Sequence, residues 1–163
     1  MPRDHLIVIG DRDPLRWILT EQMMAFPGYR AREIAAVSEG HRFFLYTTRG
    51  CFHSPVADRG RVIGEAIVKS PVKELDEAVV FGSRNFPLGC QISITGLAQW
   101  REGAPMSELV SSLHLFDGKS LTNWGNKLRT ALVSLDAHDA SLIHRSIKPV
   151  MGRPEATKSS YLL

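Results

Sequence analysis

Cysteine is scarce in this 163-residue chain: there are two, and they make neither a metal-ligand spacing nor a disulfide framework. Cys51 and Cys90 fall in segments with strand character, so both are expected as reduced, small buried hydrophobes. No apolar run approaches the ~18 residues that a membrane span needs. The opening "MPRDHLIVIGDRD" has an apolar run of only four residues before Gly10, which suits a first strand better than a secretory signal. A cytoplasmic protein with no membrane partner is the expectation. Marks of common enzymes are missing too. "VIGDRD" has one glycine where a phosphate-cradling loop needs several, and there is no Gly-x-Ser-x-Gly elbow. The six histidines are dispersed. His138 and His144, six apart, do not share a helical face, so they are read as exposed helix histidines, with no metal and no cofactor.

What is present is an ordinary globular composition, 44% hydrophobic and 23% charged, at a length that supports one domain with a sizeable core. Residues 1–150 are expected to form that domain, with 151–163 a flexible C-terminal tail. Net charge is +3 and the pI is near 9.1. The excess is concentrated: Arg30, Arg32, Arg42, Arg49, Arg59 and Arg61 face only Glu33, Glu39 and Asp58 over the same span. That stretch reads either as a solvated face or as a rim that tracks phosphates, a task suited to the guanidinium fork.

Residues 5–9 read as a strand ended by Gly10. Asp13 then serves as an N-cap with Pro14 opening a helix through "LRWILTEQMMAF", where Leu15, Ile18, Leu19 and Met23 share a face and Trp17 falls beside it. A short helix "RAREIAAV" leads to a strand at 41–48, in which at least one of Phe43 and Phe44 is core. In "GRVIGEAIVKS", Gly64 interrupts a strand and hints at a bulge or barrel bend. Glu74, Asp76 and Glu77 read as a solvated acidic turn. "LGCQISITGLAQW" alternates as a long strand. The last third, "MSELVSSLHLF", "NWGNKLRTALVSL" and "DAHDASLIHRSI", has helical spacing, the last piece capped by Asp136 and ended by Pro149. Strands clustered between helices suggest an α+β fold, most simply a small, partly closed barrel of about five to six strands flanked by helices.

Aromatics and arginines collect near strand ends: Tyr29, Arg30, Phe43, Phe44, Tyr46, Phe86 and Trp124. Flat walls with cationic help are how proteins hold unpaired bases. Order and motif together resemble the EVE domain family of the PUA-like superfamily, which also holds the YTH and ASCH domains. The similarity covers residues 5–148 and is carried by "GYRAR" at 28–32, "SEGHRFFLYTT", "GRVIGEAIV" and "LHLF…TNWGNKLRTALVSLDAHDASLI", the last resembling the single-domain bacterial branch. Gly28 and Arg30 depart from the asparagine and glutamine usual in the first motif.

The resemblance implies a twisted, partly closed β-barrel whose pocket accepts a nucleobase, typically a modified one swung out of its strand. By motif it implies Tyr29 and Arg32, Tyr46 with Thr47 and Thr48, and Asn123 with Trp124 as base-contacting residues. Arg30, Arg32, Arg49, Lys127 and Arg129 are candidates for a basic rim. The expected partner is DNA or RNA, and the expected role is binding without catalysis. Two alternatives stand beside it. One is an ASCH-like hydrolase of acylated cytidine, built from Thr47 or Thr48 with Glu65 and Lys69. The other is an interaction module whose pocket is vestigial.

Overall fold

The computed structural model describes residues 3–117, 124–128 and 130–162, without the side chains of Asn126 and Lys127. Asn123 and Arg129 lie outside the described residues. Among the described residues nine strands and four α-helices follow in the order β1 (Asp4–Ile9), α1 (Arg12–Glu21), β2 (Met23–Phe26), α2 (Ala31–Ile34), β3 (Arg42–Thr47), β4 (Arg61–Val68), β5 (Lys73–Phe81), β6 (Arg84–Ala98), β7 (Ala104–Pro105), β8 (Leu132–Leu135), α3 (Ala137–Ile147), β9 (Met151–Gly152) and α4 (Pro154–Thr157). The strands form one curled mixed sheet, ordered β2-β6-β4-β3-β1-β8, with β5 and β9 also on β6 and β7 on β4. β1 and β3 run parallel, whereas β4 is antiparallel to both β3 and β6. The result is the twisted half-barrel flanked by helices that the α+β reading expects.

Alternation along β1 and β3 explains why the sheet is covered on both faces. Side chains of successive strand residues point to opposite sides. Ile7, Phe43 and Leu45 accordingly enter one cluster with Leu15, Ile18 and Leu19 of α1. Leu6, Phe44 and Tyr46 enter another with Phe116 and with Ala140, Ile143 and Ile147 of α3. Both Phe43 and Phe44 are therefore fully buried, each on its own face.

Gly64 is where the barrel bends. The pairing of β3 with β4 slips at Leu45/Tyr46, and that of β4 with β6 slips at Glu65/Ala66. A Cβ on Gly64 would stand 2.4 Å from the Gly96 carbonyl oxygen, so only glycine lets the two backbones approach this closely.

Several segments differ from the sequence reading. Asp11, not Asp13, caps α1, its carboxylate accepting the Arg12 backbone N–H at 2.7 Å. The first helix stops at Glu21 because Gln22 turns left-handed (φ 54°), and its side-chain carbonyl accepts the Ile94 N–H at 2.9 Å. "MMAF" then pairs with β6 as β2. The acidic 74–77 run lies in β5 rather than in a turn. "MSELVSSLHLF" supplies only 3-10 turns at Met106–Glu108 and His114–Phe116. "NWGNKLRTALVSL" splits into a 3-10 turn at Trp124–Leu128 and β8, which pairs with β1.

The C-terminal segment is the clearest correction, since it packs instead of hanging free as a tail. β9 pairs with β6, and Tyr161 is buried with its hydroxyl donating to the Ala98 carbonyl at 2.7 Å. An aromatic anchor and a strand pairing tie down a segment that looks featureless in sequence.

Candidate nucleic-acid interface

The chain beyond the carboxyl ends of the parallel pair builds the site. Thr48, the residue after β3, donates its backbone N–H to the Ile9 carbonyl at 3.0 Å, tying the two strand ends together. Two clefts flank this point, and Thr48 and Leu128 line both.

The larger, about 670 Å³, has Tyr46, Gly60, Arg49, Arg59, Trp124 and Gly125 among its lining residues. Tyr46 stands two residues beyond the core residue Phe44, on the same face of β3, and is 4% exposed. Burial pushes its hydroxyl up to about 12, so the phenol is neutral at physiological pH. Gly60 packs against it: a Cβ there would fall 2.1 Å from the Tyr46 hydroxyl oxygen. Trp124 is half-buried, with its ring edge-on to Phe116 (centroids 5.9 Å, 74°) and packed against the second core cluster. It is thus anchored on one side and lines the cleft on the other. On the rim, Arg59 donates to Ser107 Oγ at 2.8 Å and pairs with Glu108 at 3.7 Å. Arg49 is exposed.

The smaller cleft, about 450 Å³, lies between the end of β1, β2 and Leu128, Thr130 and Ala131, with Tyr29, Arg30, Arg84 and Phe86 on its walls. Tyr29 is 78% exposed. Arg30 lies over its ring at 5.2 Å, and Arg84 lies over Phe86 at 5.1 Å. The Arg30 Nε is buried without a hydrogen-bond partner among the described residues. Arg30 Nη1 faces Glu33 Oε1 at 3.5 Å.

The expected site residues therefore divide. Tyr46 and Trp124 share one cleft, Tyr29 and Arg30 share the other, and Thr48 belongs to both. Thr47 does not contribute: it is buried, its Oγ1 3.5 Å from the Arg61 carbonyl. Arg32 is exposed on α2 and lines neither cleft. Asn123 and Arg129, and the side chain of Lys127, fall outside the described residues.

Of the remaining arginines in the basic stretch, Arg42 is committed to Asp4 at 2.6 Å and to the Phe44 ring, and Arg61 donates to the Gly103 carbonyl at 2.6 Å. Those two brace the fold. Sequence reasoning missed Gly60 and Arg84 as lining residues, because only the folded chain brings them to the clefts.

The residues considered for acylated-cytidine hydrolysis are not gathered at either cleft. Glu65 pairs with His144 on α3 and faces Arg42 at 4.0 Å, and neither Glu65 nor Lys69 lines a cleft wall. His144 is thereby a half-buried hydrogen-bond partner of Glu65, not a solvated helix histidine.

No protein-family model matches the chain, and no curated protein matches it. Solved structures do. A protein from Pseudomonas putida superposes with TM-score 0.57 at 16% identity, covering 87% of this chain and 97% of that one. A hypothetical protein from Leishmania major gives 0.55 at 16% identity, over 89% and 94%. The YTH domain of the MRB1 protein of Zygosaccharomyces rouxii, solved in complex with N6-methyladenosine RNA, gives 0.55 at 13% identity, over 87% and 85%. The fold defined above is thus one shared with YTH domains. No helix among the described residues is long and apolar enough to cross a membrane.

Proposed function

We propose that the protein is a non-enzymatic nucleic-acid-binding module of the EVE branch, acting in the cytoplasm, which holds a flipped-out, modified base in the cleft between Tyr46 and Trp124. The observation that carries this reading is the placement of these two aromatics in one cleft whose lining also includes Arg49 and Arg59. Reading an extruded base takes flat walls for stacking and a few polar groups at its edge. A volume of about 670 Å³ lies in the range of sites that enclose small ligands.

The neighbouring cleft takes the adjoining backbone, with the guanidinium groups of Arg30 and Arg84 as phosphate contacts. Unstacking a base costs a few kcal/mol, and contacts to the flanking phosphates offset part of it. The fold shared with a YTH domain bound to N6-methyladenosine RNA supports the reading without specifying RNA over DNA.

Trp124→Ala tests it. A folded variant should bind a modified oligonucleotide more weakly by about 1–3 kcal/mol, the usual contribution of one base–aromatic stack. Unchanged affinity would remove the assignment.

A further inference from the structure

Two of the dispersed histidines meet in space. His114, on the Leu113–Phe116 turn, stacks on His138 at the start of α3, with ring centroids 3.8 Å apart and planes within 9°. Each imidazole is tied by its Nδ1 to a carboxylate: His114 to Asp136 at 2.9 Å and His138 to Asp139 at 2.9 Å. At His138 the carboxylate of Asp139, which is not itself needed as a ligand, fixes the tautomer and leaves Nε2 with a free lone pair, the arrangement found behind metal-bound histidine.

The two aspartates have different tasks. Asp139 is buried, and its oxygens accept the backbone N–H groups of His114 and Leu115, both at 2.8 Å, so it brackets the turn onto α3. Asp136 caps α3 through Oδ1 and turns Oδ2 to His114, and both residues are exposed. One ligand atom from each of the four residues lies within 4.8 Å of the others. Donors around a tetrahedral ion of the zinc type stand about 3.3 Å apart, so closing the set takes rotation of the exposed His114, His138 and Asp136 side chains, which exchanges the ring stack and the His114–Asp136 hydrogen bond for bonds to the ion.

We infer that His114, His138 and Asp136 form a surface site for a divalent transition-metal ion of the zinc, nickel or copper class, with solvent completing its coordination. Two imidazoles and one carboxylate select these ions over magnesium and calcium, which prefer oxygen cages. The ion joins the 114–116 turn to α3. Phe116 on that turn buttresses Trp124, so the site stiffens one wall of the larger cleft. The metal site rests on its own geometry and stands whether or not that cleft holds a base.

The test is calorimetric titration of the whole, chelator-treated protein with Zn²⁺, with Mg²⁺ in parallel and no nucleic acid present. One Zn²⁺ should bind per chain and, at a hundredfold excess over Kd, raise Tm by about 5 °C or more. His138→Gln should weaken binding at least tenfold. Asp136→Asn, which preserves the cap, should weaken it while leaving the metal-free Tm in place, separating a lost ligand from a damaged helix. No saturable Zn²⁺ binding, equal binding of Mg²⁺, or full affinity in His138→Gln would each overturn the site.

Discussion

The two clefts that share Thr48 and Leu128 are built in contrasting ways. In the larger one the walls are fixed by the core: Tyr46 continues the buried face of β3 and is jammed against Gly60, while Trp124 rests on Phe116. In the smaller one the aromatic is at the surface, with Tyr29 exposed beneath Arg30. Rigid flat walls discriminate shape, because moving them disturbs packed side chains. An exposed ring with a cationic partner adapts, and suits a backbone that presents the same charge at every step. On the proposed function, the difference teaches that specificity and affinity are housed separately, on either side of one strand end.

Gly60→Ala should break this comparison most severely. The added Cβ has no room beside the Tyr46 hydroxyl, so the tyrosine or the 59–61 backbone must move, at about 1–3 kcal/mol of stability. Thermal unfolding should show that loss, and titration should show base discrimination lost with it. Trp124→Ala comes next. It should lower affinity for a modified oligonucleotide roughly 5- to 150-fold, equivalent to about 1–3 kcal/mol, and reduce the preference for modified over plain strands.

Arg30→Ala sharpens the comparison from the other side. Affinity should fall equally for modified and plain strands, and the slope of log K against log salt should decrease by about one. The smallest effect on binding is expected from acid, although stability should respond. His5 on β1 is fully buried. Ser38 donates its N–H to His41 Nδ1, so His5 Nε2–H is the donor in the 3.0 Å His5–His41 bond. Burial, and after it the neighbouring His41, lower His5 from 6.5 to about 4.

The unfolded chain therefore takes up a proton at higher pH than the folded one does. The stability that neutral His5 contributes is complete above about 6.5 and is lost progressively as pH falls toward 4. Urea unfolding at a series of pH values should show this slope, and His5→Gln should flatten it. His5 lines neither cleft, so discrimination in the folded protein should not follow the same curve.

Much of this was legible in the sequence where periodicity and core burial agree. β1, β3, β4, β6 and α3 lie where alternation or helical spacing places them, and Gly64 marks the bend. The failures share a cause, since each depends on a partner far along the chain. "MMAF" satisfies helical spacing, and it becomes a strand because Gln22 turns the backbone onto β6, 72 residues away. "LVSL" joins β1 across more than 120 residues.

Similar logic separates the site residues. Tyr46 and Trp124 are singled out in the sequence by the resemblance to EVE domains, their aromatic character only permitting it, and the fold brings the two to one cleft. Thr47 and Thr48 look alike in sequence, yet strand alternation buries one and leaves the other at the cleft edge. The stacking of His114 on His138 has no local signature at all, since its two rings come from separate elements.

The most direct measurement is a matched titration of wild type, Trp124→Ala and Arg30→Ala with modified and plain versions of one oligonucleotide at stated salt. The account requires that wild type prefer the modified strand, that Trp124→Ala lose most of that preference, and that Arg30→Ala keep it at lower overall affinity. Equal binding of both strands by the wild type, or a preference that survives intact in Trp124→Ala, would contradict it.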